Sequence, residues 1–354
     1  WDLAKLIMKH PTLTRDIAPM STMASKLAKY FSDPRLAQLF GRYATYVGGS
    51  PYASPALLSL IWQAEAKGVW SVQGGMHVLA TTLMSLAKER GVNFSFNCKV
   101  NKILLSDGHV DGVALENGKQ LKSNLIVFNG DPRALATGEL GQDFKNIAKE
   151  SVLDERSLSA RVWSFEAEPN GPDLIHHNVF FAADAESEFE DIKKGQMPLQ
   201  PTIYVCAQDR GLNADYPVRE RFEIILNAPA VSKAKHIDEE FEKCRTLTMT
   251  TLERFGLTFQ PIPDKNSLTT PTDFAAMFPA SDGSLYGQSP HGLTAAFRRP
   301  TSRTAVPGLY LAGGGAHPGA GLPMATLSAR HAVEAILKDR TSTLLSPQMA
   351  TLGG

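Results

Sequence analysis

The residues best placed to do chemistry lie near the C-terminal end. An apolar segment, Leu309-Tyr310-Leu311-Ala312, runs into Gly313-Gly314-Gly315-Ala316-His317-Pro318-Gly319-Ala320-Gly321-Leu322-Pro323, and an alanine-rich stretch follows. Five glycines fall within nine positions. Glycine costs backbone entropy, so it belongs where the chain must take positive φ or lie against a ligand. A helix opening behind such a loop presents N–H donors and the positive end of its dipole. That suits a phosphate or an electron-rich heterocycle. The same glycines could do no more than bring a helix close to a sheet; the loop's length and its two prolines favour a ligand. Gly74-Gly75 before Met76 is a weaker second instance, since a doublet at a helix start is often only a tight turn. His317 is the titratable group inside the long loop. It could take up a proton or polarise a bound ring, or it could simply hold the loop through a hydrogen bond.

Other candidates are less distinctive. His176-His177 resembles a metal pair, but neighbours on a strand point to opposite faces, so the pair reads as a strand entry and no metal site is expected. Asp273, Asp282, Arg298 and Arg299 could orient the polar end of a substrate, though charged loops are commonly just solvated. Cys98, Cys206 and Cys244 stand far apart with no CxxC, which excludes a zinc ribbon or a thioredoxin-like motif and makes a disulfide framework unexpected. A reducing cytosol is the default setting. No paired carboxylates or nucleophile triad stand out.

Elements of the right kind surround these residues. The first seventy positions read as helical: a stripe of Leu3, Leu6, Ile7 and His10, then Ser21–Phe31 and Pro34–Tyr46, then Pro55–Lys67 with Ser54 as N-cap. The last of these carries Leu57, Leu58, Leu60, Ile61 and Trp62, apolar almost all round. It suits either the core or a greasy surface. Met76, Leu79, Ala80, Leu83, Leu86 and Ala87 keep helical spacing, and Gly91 stops that helix. From Asn93 the period becomes two. Phe94 and Phe96 lead into strands turned at Asp107-Gly108 and Asn117-Gly118. A continuously apolar strand, Leu125–Phe128, reads as buried on both faces and runs into Asn129-Gly130-Asp131. Ser157–Glu168, Asn178–Ala183, Thr202–Ala207 and Phe222–Ala228 read as an antiparallel sheet, and Ile237–Phe255 as a covering helix. The final helix is expected to end near Leu337, with a frayed Ser/Thr-rich tail beyond Asp339.

Composition sets outer bounds. The chain has 354 residues, enough for two domains or somewhat more. Its 36 basic and 36 acidic residues cancel, which argues against a nucleic-acid binder held by a basic field. No apolar run approaches a membrane-spanning length. Two glycine-rich helix starts flanking a meander and a sheet are what a split dinucleotide-binding domain with an inserted substrate domain would leave in a sequence.

At these residues the chain resembles the carotenoid desaturase family of flavoproteins, and within it the bacterial 1-hydroxycarotenoid 3,4-desaturases. The matching segments include Arg42–Tyr46, Gly49–Tyr52, Gly68–Trp70, Gly74–His77, Val127–Asp131, His177–Phe181, Tyr204–Asp209, Thr270–Phe274 and Pro307–Pro323, the last being the most specific. The resemblance implies an α/β fold. It has a split Rossmann-like FAD-binding domain, an inserted antiparallel-sheet substrate domain and a helical cap. The corresponding spans are 1–68 for a membrane-facing cap, 69–135 and 301–340 for the FAD-binding parts, 136–300 for the substrate domain and 341–354 for the tail. It implies FAD, a long apolar carotenoid as substrate, and peripheral association with the inner face of the cell membrane from the cytoplasm. Gly74, Gly75 and Met76 would lie beside the cofactor, and Val100 would meet adenine through its backbone. Asn129, Gly130 and Asp131 would close the second sheet edge. Gly313, Gly314, Gly315, Gly319, Ala320, Gly321, Leu322 and Pro323 would face the isoalloxazine. The region after the final strand is glycine where many related amine oxidases carry an acidic residue, which removes one expected contact to the ribityl or pyrophosphate part.

There is one large departure from the family pattern. The opening strand, the GxGxxG turn and the acidic ribose ligand have no counterpart here, and the chain opens on Trp1. It is therefore expected to lack its first part and to hold FAD weakly or not at all by itself. Desaturation would deliver a hydride to the flavin. The cation left behind would be delocalised over the polyene, so a weak base would suffice and positioning in a dry tunnel would contribute most. Another member of the superfamily (a phytoene desaturase, a carotenoid isomerase or an amine oxidase) and an inactive, partner-dependent piece are the competing readings.

Overall fold

The computed structural model describes residues 21–153, 155–211, 216–230, 237–292 and 294–349. The stripe from Leu3 to His10 lies outside them. The described chain opens with α1 (Met23–Tyr30), whose N-cap Thr22 accepts from Ser25 N, and α2 (Pro34–Gly41), capped by Asp33 with Pro34 in the first turn. Both meet the expectation, although Arg42–Val47 tightens into a 3-10 turn closed by left-handed Gly48. The single helix expected at Pro55–Lys67 is two pieces, a 3-10 turn Ala56–Ser59 and α3 (Leu60–Glu65). Ser54 is not its cap. It is fully buried, and Pro55 takes the cap position in extended geometry.

α4 (Met76–Glu89) starts on Gly75 at φ 90°. The alternation at Phe94 and Phe96 does not form a strand; the two rings stack on each other instead. Then β1 (Val100–Ser106), β2 (His109–Leu115) and β3 (Gln120–Lys122) make the antiparallel meander, turned at the two expected Xaa-Gly pairs. β4 (Ile126–Phe128) is shorter than its apolar run and half-exposed at Val127, so it is not buried on both faces. α5 (Arg133–Ala136) and α6 (Glu150–Leu153) lead out of this region.

The inserted sheet is larger and fully antiparallel. β5 (Ser159–Asn170), β6 (His177–Phe180), β7 (Ile203–Ala207) and β8 (Glu220–Ala228) fall on the four segments read as strands. Helix α7 (Ala185–Lys193) interrupts them, and α8 (Ile237–Arg254), β9 (Thr258–Gln260), β10 (Leu268–Thr269) and α9 (Pro271–Met277) follow. The strand order is β10-β5-β8-β7-β6, with β9 on the far end of β5. One face carries Trp163, Phe222, Ile224, Leu226, Ile203 and Val205 into a core closed by Phe241, Cys244 and Leu252 of α8. Trp163 Nε1 donates to Thr248 Oγ1 at 3.2 Å, so the largest core side chain leaves no buried donor unmet.

The chain then returns through α10 (Ala295–Arg298) to β11 (Leu309–Leu311) and α11 (Leu322–Met349). α11 runs well past Leu337, through the segment expected to fray. β11 pairs with β4 in parallel, Leu309 beside Ile126 and Leu311 beside Phe128. A parallel pair needs a crossover, and here the crossover is the entire inserted sheet. That is the split α/β arrangement expected from the sequence. The cap is tied to the sheet by buried Glu188: it accepts from Thr202 N (3.2 Å) and Asn227 Nδ2 (2.9 Å) and pairs with Arg42 (3.6 Å). Among the described residues no helix is long and apolar enough to cross a membrane.

Candidate active site

The parallel pairing decides which predicted residues meet. Ala312 N bonds Phe128 O (3.1 Å), and Asn129 Nδ2 donates to Ala312 O (3.4 Å). This sets Asn129-Gly130-Asp131 against the loop that follows β11. Two glycines of that loop answer to this contact. A Cβ on Gly313 (φ 103°) would stand 2.9 Å from Asn129 Nδ2, and one on Gly315 would stand 2.5 Å from Pro132 Cδ. Gly314 is less confined. Gly319 lies over the Arg299 side chain, and Ala320 is buried. Gly321 takes φ 100° with open space where a side chain would project. Leu322 and Pro323 open α11 on the exposed side.

Gly74, Gly75 and Met76 sit on a second rim. Gly75 also combines positive φ with open space in place of a side chain, and Met76 is 59% exposed. Val100, at the start of β1, faces solvent as well. Among the described residues no hydrogen bond links these four to the 313–323 loop. The structure joins one part of the predicted site, Asn129–Asp131 with the loop from Gly313, while no hydrogen bond among the described residues ties Gly74–Met76 or Val100 to that part or to each other.

Two arginines that carried little or no expectation hold the first group in place. Arg299 is buried and donates to the carbonyls of Gly314 (2.6 Å), Tyr286 (3.0 Å) and Gln288 (2.8 Å). Burial pulls its pKa down to about 10, so it remains charged at neutral pH. Arg156 pairs with Asp131 and donates to Ser284 Oγ (2.9 Å), while its Nη1 is buried with no partner. Asp131 also accepts from Arg133 N (2.9 Å). Its carboxylate is thus engaged within the protein. Sequence reasoning missed Arg156 and the Ser281–Ser289 loop, because nothing marks a buried arginine in a sequence. The one usable signal was the density of small residues around Gly283 and Gly287.

The remaining candidates have structural places. His317 N bonds Pro300 O (2.8 Å), and its ring stacks on His331 of α11 with centroids 6.2 Å apart. The side chain therefore leans on the helix. Asp273 caps α9 through a reciprocal box with Thr270, and Asp282 pairs with Arg133 (2.8 Å). His176 and His177 do not point apart. β6 begins only at His177, and the two rings meet edge to face at 4.4 Å.

A profile of flavin containing amine oxidoreductases matches residues 20–337. The chain belongs to that family. Membership bears out the expected FAD-dependent oxidoreductase and its α/β flavoprotein fold. Within the flavin containing amine oxidoreductases, the chain is 53% identical over 337 residues to a hydroxyneurosporene desaturase of Cereibacter sphaeroides. That match covers 95% of this chain and 67% of the relative. A hydroxyneurosporene desaturase of Rhodobacter capsulatus is 50% identical, with 97% and 69% covered. A 4,4'-diaponeurosporene oxygenase of Staphylococcus aureus is 29% identical over 89% of this chain. The chain spans about two thirds of the length of these curated relatives. Among solved structures, an oxidoreductase from Methanosarcina mazei and a triple mutant of putrescine oxidase share the fold. Each has a TM-score of 0.51 at 14% identity, covering 90% and 93% of this chain and 68% and 70% of theirs.

Proposed function

We propose that this protein desaturates a hydroxylated carotenoid with FAD. The observation that carries the reading is the identity with two hydroxyneurosporene desaturases along nearly the whole chain. In this reading residues 69–135 and 301–340 are the flavin side, 136–300 the substrate domain and the helices before them a cap. The parallel pairing of β4 with β11 supports that division.

The residues fit the cofactor. Gly75 and Gly321 take a backbone shape other residues adopt only under strain, and each leaves open space where a side chain would be. An uncompensated buried guanidinium nitrogen on Arg156 adds a donor of the sign an electron-rich ring requires. Gly74, Gly75, Met76 and Val100 would hold one end of the group, and Gly313 to Pro323 the other. When bound, FAD supplies a hydride acceptor. Everything else falls to this chain. Arg299 fixes the Gly314 carbonyl, Asn129 braces the loop from β4, Asp131 anchors Arg156, and Leu322 opens a helix whose first N–H groups need partners from outside the helix.

The polyene would lie between the cap and the open face of the six-stranded sheet. That face carries Val162, Val179, Tyr204 and Ile225, each half-buried. It lies opposite the face closed by α8, so it offers a long apolar path that excludes water. Exposed Leu57, Leu60 and Trp62 on the cap give a greasy surface for docking at the inner face of the membrane, from which such a substrate would enter. His317 is assigned to holding the loop. His317→Ala should keep turnover with normal flavin content; a large loss of turnover at normal flavin content would make it catalytic instead.

The test of the function supplies hydroxyneurosporene to cells that make this protein and no other carotenoid desaturase, with pigments followed by chromatography. The expected product has two hydrogens fewer and a longer conjugated chain. Unchanged hydroxyneurosporene, with non-hydroxylated carotenoids consumed instead, would move the assignment to another branch of the family.

A further inference from the structure

We propose that His176, His177 and Cys206 form a site for one borderline-soft divalent transition ion, with zinc as the natural probe. The three candidate donor atoms lie within 4.8 Å of one another. A tetrahedral zinc with bonds of roughly 2.0–2.3 Å sets its donors about 3.4–3.6 Å apart. His176 Nε2 and Cys206 Sγ already stand at 3.7 Å. Small side-chain rotations would close the rest.

The supporting contacts orient the donors. His176 Nδ1 is 2.7 Å from the Arg210 carbonyl oxygen, which can only accept. Its proton is therefore on Nδ1, and the lone pair of Nε2 is turned toward the sulfur. A ligating imidazole is commonly fixed in this way, through its other nitrogen. Arg210 is itself held by Glu220 (2.7 and 2.8 Å) and by the Leu174 carbonyl (2.9 Å), so the carbonyl is steady. His177 stands directly opposite Cys206 in the β6–β7 register, and its Nδ1 is 2.7 Å from the Tyr204 hydroxyl. Glu223 stands opposite Cys206 on the other side, in β8, and adds negative charge to the same face.

The chemistry matches a metal better than a reactive thiol. Thiolate and imidazole together select zinc-like ions over magnesium or calcium. His177 is exposed while Cys206 is buried, which gives an entry path and an open fourth position for water. The donors lie on the same sheet face as Tyr204, beside the path proposed for the polyene, and their spacing does not require a bound flavin.

The experiment titrates the whole chain with cobalt(II), reads the absorbance, and then competes with zinc in equilibrium dialysis. One ion per chain is expected, with a sulfur-to-cobalt band in the near ultraviolet that zinc abolishes. Cys206→Ser should remove that band. His177→Gln, at an exposed position, should leave the melting temperature unchanged and weaken affinity by roughly tenfold or more. Cys98→Ser serves as the control for the exposed thiol and should bind as the parent does. No sulfur-to-cobalt band in the parent, loss of the band in Cys98→Ser, or unaltered affinity in folded His177→Gln would each overturn the proposal.

Discussion

The six-stranded sheet and the β4–β11 region use their residues differently. The sheet buries Trp163, Phe222, Ile224 and Leu226 against a helix, where Trp163 Nε1 donates to Thr248. The β4–β11 region has a smaller core, built on Ile103, Leu135, Phe144, Leu309 and Leu311. Its helices keep Leu83, Leu86, Val333 and Leu337 exposed. What it has in greater measure is backbone shape: glycines at positive φ, a buried arginine spanning three carbonyls, a parallel pair. One region is built for stability and the other to present a surface. Stability and cofactor binding should therefore respond to different substitutions.

The sharpest trial of that contrast removes the same side chain from both regions. Leu226→Ala leaves a cavity in the sheet core and should cost about 2–5 kcal/mol in unfolding free energy. Leu83→Ala, at a side chain 57% exposed, should stay within about 0.5 kcal/mol. Equal losses in urea melts would erase the distinction. Arg299→Met comes next. It strips the charged donor from three carbonyls, each buried acceptor being worth about 1–3 kcal/mol, with some relief from separating Arg299 and Arg156. A loss of about 3 kcal/mol is expected, with weaker flavin binding. Normal flavin titration in this variant would detach Arg299 from the site. Gly321→Ala is smaller and more selective. Strain at φ 100° should lower flavin affinity about fivefold, or about 1 kcal/mol, while the sheet melts unchanged.

The smallest effect concerns pH and belongs to the sheet. Arg221 bonds to Asp209 and holds its carboxyl below the ordinary value of 3.8. The folded state thus favours the charged form. That stabilisation is complete above the unfolded value and is lost as pH falls through the lower folded one. Arg221 is half-exposed, so solvent screening keeps the contribution under about 1 kcal/mol. Asp209→Asn should flatten the stability profile only below about pH 4. A difference persisting at pH 7 beyond the loss of that pair would point to another partner.

Much of this contrast was legible in the sequence, and for a physical reason. β5, β7 and β8 were legible as strands, and each has a closed face and an open one. Glycine density marked the loop after β11 because shape, unlike packing, is written in residue type. Three features stayed hidden. β4 read as buried on both faces, since apolar content reports what a segment can bury and not what covers it. Asp273 looked functional and is a helix cap, because a carboxylate in a loop serves either purpose equally well. Arg156 gave no signal and Arg299 was read only as a substrate-orienting charge, since their burial depends on carbonyls that only the folded chain gathers.

The β4–β11 pairing also sets an order of assembly. Ile126 cannot find Leu309 until the whole inserted sheet lies between them in the growing chain. At about 5–20 residues per second, a ribosome needs on the order of ten to forty seconds to cover that interval. Closing so long a loop is entropically cheaper once the intervening residues are compact. The antiparallel sheet, with hairpin neighbours and its own core, is placed to fold first and carry the two distant strands together. A slow step in refolding would then belong to the β4–β11 pairing, and it would slow further whenever the sheet is weakened.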